Sequence, residues 1–136
     1  MVSVGALPIL LTLSLFSPTE KSIERAFFQN DAKLLYALLS PRNQVNISLP
    51  EPISFSDRVS AEQAFFLFRQ IYSTFLTFEF YADSELPVIA KKNSLIFKAR
   101  WSFKNKKSNN QYVLQVFFYL VKDMDWKITE IKAEKL

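Results

Sequence analysis

Two long runs, Ser94–Lys104, in which apolar and polar residues largely alternate, and Gln111–Lys122, rich in aromatic and β-branched residues, flank the turn-rich segment Asn105–Asn110. Both patterns mark strands, and two such runs joined by a short polar turn form an antiparallel hairpin. Centring the turn near Lys107 sets the register. Phe103 then faces Tyr112, Trp101 faces Leu114, Ala99 faces Val116 and Phe97 faces Phe118. Directly paired residues share a face, so these eight side chains form one apolar surface, which Leu120 and Ile128 extend across the next hairpin. A surface of that size left bare would be a large apolar patch, so other elements must cover it.

The preceding residues supply the cover. Ser17-Pro18-Thr19-Glu20 reads as a helix start, with a capping serine, a proline in the first turn and Glu20 completing a capping box; Ile23, Ala26 and Phe27 follow on one face. Asn30-Asp31 breaks that helix, and Asp31 caps a short second one striped by Leu34, Leu35, Leu38 and Leu39, which Ser40-Pro41 ends. Val45, Ile47 and Leu49 alternate as a short strand, and Pro50–Arg58 reads as a loop carrying Pro52. Ser60-Ala61-Glu62-Gln63 is a second capping box; Ala64, Phe65, Phe68, Ile71, Tyr72 and Phe75 then recur at helical spacing. Only strands come after it. Leu76–Tyr81 sets Phe78 and Phe80 against Thr77, Glu79 and Tyr81; Asp83–Asn93 is a polar loop with a short irregular edge; Trp126–Ala133 closes the sheet after an Asp123-Met124-Asp125 turn. The expected fold is α+β, with N-terminal helices packed on a curved, mainly antiparallel sheet, in a single domain over residues 17–136.

The first 16 residues stand apart. Val2–Phe16 is almost wholly apolar, too short for a comfortable membrane span of about 20 residues, and has the length of a signal-peptide core. No Lys or Arg precedes it. The run reads as an export signal, periplasmic or secreted, with a packed N-terminal element of a cytoplasmic protein as the alternative.

Composition removes much chemistry. Among 136 residues there is one glycine, Gly5, so a glycine-rich phosphate loop cannot be built. Cysteine and histidine are absent, which removes thiolate nucleophiles, histidine triads and the usual zinc and iron–sulfur ligand sets. No metal and no cofactor is expected. The formal net charge of +4 favours solubility without naming a partner.

The same register defines a second face. Ile96, Lys98, Arg100 and Ser102 lie opposite the apolar surface, beside Val113, Gln115, Phe117, Tyr119 and Val121. That face is too apolar for plain solvent and too charged for a core. It suits contact with a second subunit, with Lys98, Arg100, Phe117 and Tyr119 at its centre. Strand alternation separates Lys98 and Arg100 from Phe97, Trp101 and Phe103, which argues against a nucleic-acid surface. On the inner side, an uninterrupted last strand puts Glu130 opposite Phe118, where a desolvated carboxylate could carry a proton. A bulge near Thr129 would instead turn Glu130 outward and Ile131 inward, and is the preferred reading in a strongly curved sheet.

Helix, short helix, strand, amphipathic helix and then a meander is an order similar to that of the nuclear transport factor 2-like superfamily, the cystatin-like cone fold. The resemblance covers nearly all of Ser17–Leu136. Asn30-Asp31-Ala32-Lys33-Leu34-Leu35 resembles the break before that family's second helix, Ser60 the opening of its aromatic helix, and Trp126-Lys127-Ile128-Thr129-Glu130-Ile131 its closing strand. Small bacterial members of unknown function look most similar. The superfamily holds isomerases, dehydratases, transport adaptors and dimerisation modules, so the fold leaves function open. Members similar to ketosteroid isomerase use an aspartate base with tyrosine and acid partners; dehydratase-like members pair aspartate with histidine, which this sequence lacks. No catalytic residue carries over. The resemblance implies a cone whose lining would include Tyr36, Phe65, Phe68, Tyr72, Trp101, Phe118 and Glu130. The expected function is a non-enzymatic binding or dimerisation module, holding a small apolar ligand or a second copy. The alternative is an isomerase-like enzyme with Glu130 or Glu79 as base.

Overall fold

The computed structural model describes residues 19–82, 88–91 and 93–136. The expected export segment and the Ser17-Pro18 helix start lie outside the described residues. Helix α1 runs over 19–28, α2 over Ala32–Leu38 and α3 over Ala61–Thr74. Among the described residues, seven strands, β1 (Val45–Leu49), β2 (Phe55–Val59), β3 (Phe75–Ala82), β4 (Val88–Lys91), β5 (Ser94–Asn105), β6 (Gln111–Asp123) and β7 (Asp125–Lys135), form one sheet in the order β2-β1-β7-β6-β5-β3. β4 pairs with the start of β5. All pairings are antiparallel except β1 with β7. The fold is α+β.

The central hairpin has the register its sequence dictates. Phe103 pairs with Tyr112, Trp101 with Leu114, Ala99 with Val116 and Phe97 with Phe118. The Asn105 side chain closes the turn by accepting from the Lys107 and Ser108 amides at 2.8 and 3.0 Å. Bulges between Thr77 and Glu79 and between Tyr119 and Leu120 bend the sheet around its covered face.

Local chemistry explains the helix ends. Asn30 takes φ 54°, while its amide reaches Phe27 O at 3.2 Å and the Asp31 amide reaches Ala26 O at 2.8 Å. This is a Schellman cap, with asparagine in the left-handed position that it tolerates better than most residues. Asp31 then caps α2 by accepting from Leu34 N at 3.0 Å. α3 opens on a reciprocal capping box between Ser60 and Gln63. The apolar faces of the three helices meet the sheet in one core that includes Ile23, Phe27, Leu35, Phe68, Ile71, Trp101 and Phe118.

Two elements depart from expectation. The segment read as a loop over Pro50–Arg58 ends in β2, which pairs with β1 from Leu49↔Phe55 to Val45↔Val59. Its polar centre, Ser56-Asp57-Arg58, is exposed, as an edge strand allows. In β3, the bulge reverses the expected faces: Thr77 is buried and Phe78 exposed, while Phe80 stays inside.

Candidate functional site

The inside of the cone is packed with rings. Phe27, carried in from α1, stacks on Phe80 at 4.7 Å between centroids and meets Trp101, Phe118, Phe68 and Tyr72 edge-on at 5.1, 5.4, 5.8 and 6.0 Å. Phe97 stacks on Phe118 at 5.7 Å, and Trp101 lies 4.2 Å from Phe103. Such offset and edge-on pairs contribute about 0.5–1.5 kcal/mol each beyond the area they bury. Of the seven residues read as cone lining, Phe68, Tyr72, Trp101 and Phe118 join this cluster. Their common neighbour Phe27 is legible in the sequence only as one apolar position of a helix.

The other three lie elsewhere. Tyr36 follows the buried Leu35 on α2 and so points away from the core; its hydroxyl donates to Glu62 Oε1 at 3.2 Å, and that carboxylate holds the phenol above its ordinary pKa. Phe65 is half-buried beside it, edge-on at 5.8 Å. Glu130 pairs with Tyr119, while Ile131 pairs with Phe118. The bulge at Thr129, the preferred reading of this strand, thus sets Glu130 on the outer face and removes it from the expected cone lining. Glu79, the other carboxylate considered as a base, also lies outside, where its Oε1 accepts from Ser102 Oγ at 2.9 Å.

The outer face of the sheet is ordered in rows, because paired residues on neighbouring strands stand side by side. One row runs Tyr81–Arg100–Gln115–Glu134, the next Lys98–Phe117–Lys132–Ser48, and a third Ile96–Tyr119–Glu130–Asn46–Arg58. Lys98, Arg100, Phe117 and Tyr119 are all half-buried, flanked by exposed Leu76, Phe78 and Tyr81 on β3. The Arg100 Nε is buried and makes no hydrogen bond. The face therefore mixes large apolar groups with cations and carboxylates at its centre. Among the described residues no cluster of acidic side chains could hold a metal ion, and no helix is long and apolar enough to cross a membrane.

No protein-family model matches the sequence, and no curated protein matches it. Solved structures match at the level of fold. A ketosteroid isomerase-like protein from Erwinia carotovora atroseptica superposes with a TM-score of 0.71 at 13% identity, covering 91% of this chain and 95% of that one. An NTF2-like protein of unknown function in nutrient uptake from Rhodospirillum rubrum gives 0.65 at 10% identity, covering 89% and 98%. A protein from Thiobacillus denitrificans, likened to the calcium/calmodulin-dependent protein kinase type II association domain, gives 0.65 at 13% identity, covering 87% and 92%. The chain has the cone fold of the nuclear transport factor 2-like superfamily.

Proposed function

We propose that the chain is a non-enzymatic module that pairs with a second copy through the outer face of its sheet. The observation that carries this reading is the make-up of that face: Phe117 and Tyr119, half-buried at its centre, stand between Lys98 and Arg100 on one strand and Glu130 and Lys132 on the other. A two-fold contact buries the same patch on both copies. It would bring the carboxylates of one copy toward the cations of the other, giving an acceptor to the guanidinium group of Arg100. Leu76, Phe78 and Tyr81 widen the apolar area toward the size a stable dimer needs. The likeness to a kinase association domain is a fold-level analogy in the same direction.

A ligand-holding cone is the weaker reading, because Phe27 and its neighbours occupy the interior with ring-to-ring contacts. A small apolar ligand would have to displace them. The isomerase-like alternative needs an inward carboxylate, and both Glu79 and Glu130 lie on the outer face. Light scattering on Phe117→Glu and Tyr119→Glu tests the proposal. Folded monomers are expected from each, since four like charges at the axis of a symmetric contact repel in the double variant and two in each single one. A folded double variant that still dimerises would remove this interface.

A further inference from the structure

A groove of about 470 Å³ opens beside α3, between that helix and the start of β2. At 3.6 residues per turn, Leu67, Gln70, Ile71 and Thr74, which line it, share one side of α3, whereas Phe65, Arg69 and Tyr72, which adjoin the α1–α2 break, share the other. Ile71 and Phe75 are buried and form the floor. Ile53, Phe55 and Leu67 are only half-buried, so they present apolar surface that a ligand can touch. None of the rings around Phe27 lines the groove, which is therefore distinct from the filled interior of the cone.

One end of the groove is cationic. Thr74 and Asn105 line it where the β5–β6 turn meets α3, and Lys106 donates its amide to Thr74 O at 3.0 Å. Lys106 and Lys107 are exposed, so their long stems can swing the ammonium groups over this end. No Asp or Glu lines the groove, and none occurs at residues 86–122. Of the carboxylates nearest in sequence to its walls, Glu51 is paired with Lys135 at 3.5 Å and Asp57 accepts from the Arg58 amide at 2.7 Å. The α3 carbonyls of Gln70 and Thr74, which would oppose an anion, already accept from the Ser73 and Thr74 hydroxyls and from the Lys106 amide. Asn105 Oδ1 is committed to the turn amides, so the side chain offers a ligand its NH2 donor.

An apolar groove with cations and neutral donors at one end suits an amphipathic anion. We infer that it binds a free medium-chain fatty acid, with the alkyl chain against Ile53, Phe55 and Leu67 and the carboxylate at the Lys106–Lys107 end. The volume lies within the usual range for small-molecule sites. Binding here requires neither pairing through the outer sheet face nor catalysis.

Heteronuclear NMR titration of the full chain with decanoate, octanoate and decanol tests the assignment. Decanoate is expected to bind saturably and to shift the amides of Phe55, Leu67, Thr74 and Asn105. Octanoate should bind about tenfold more weakly, because it buries two fewer CH2 groups. Reversing charge at two exposed positions, in the Lys106→Glu, Lys107→Glu double variant, should weaken decanoate about tenfold and leave decanol unchanged. Leu67→Gln, with its fold checked in the same spectra, should weaken both. No saturable shifts with decanoate, shifts confined to the outer face around Phe78 and Phe117, or equal decanoate affinity in the folded charge-reversed variant would overturn the inference.

Discussion

Trp101 donates its indole N–H to the hydroxyl of Thr77, 2.8 Å away, in the middle of the core. The bulge after Thr77 makes this possible, since regular alternation would give Thr77 and Phe80 opposite faces. A buried indole needs a partner for its one donor, and a threonine turned inward on the neighbouring strand provides it. Thr77→Val keeps the shape and removes the acceptor. It should cost about 1–3 kcal/mol, the penalty of a buried donor left unmade, read as a lower midpoint in urea unfolding. An unchanged midpoint would mean that the indole finds another partner.

Phe27 holds together rings from α3, β3, β5 and β6. Replacing it with alanine removes five aromatic contacts at once and leaves a cavity. The expected loss is about 3–5 kcal/mol. Phe28, its exposed neighbour, should tolerate the same change with little effect. Chemical unfolding of the two variants side by side checks the contrast.

Tyr72 gives a pH signature. Burial, and to a lesser degree the nearby Asp31 carboxylate, raise its pKa well above the ordinary value. The folded state therefore holds this proton more tightly than the unfolded chain does. The stability that follows is fully present below the unfolded pKa of about 10 and is lost as pH rises from there toward the folded value. Unfolding free energy should fall more steeply above pH 10 in wild type than in Tyr72→Phe. Parallel curves would contradict the placement of that hydroxyl.

The parts of the fold that were legible in the sequence are those where several residues repeat one signal. Four facing apolar pairs fix the β5–β6 register, and the Ser60–Gln63 box with its aromatic stripe fixes α3. β2 was hidden because Phe55 and Val59 are separated by Ser56-Asp57-Arg58, which an edge strand can leave in water. The bulge at Thr77 was invisible because a single extra residue leaves no periodic trace, and it exchanged the faces expected for Thr77 and Phe78. The bulge at Thr129 was anticipated because Ile131 is a better core residue than Glu130. For the candidate site, the outer-face residues followed directly from strand alternation. Tyr36 did not, because its helix buries Ala32 and Leu35 and turns Tyr36 outward.

The most direct test of the central claim is the mass of the wild-type chain in solution. Sedimentation equilibrium at micromolar concentration and moderate salt should give close to twice the 15.8 kDa of the chain, with the Phe117→Glu variant returning to the single-chain value. A wild-type mass of 15.8 kDa that does not rise with concentration would contradict a pairing role for the outer face.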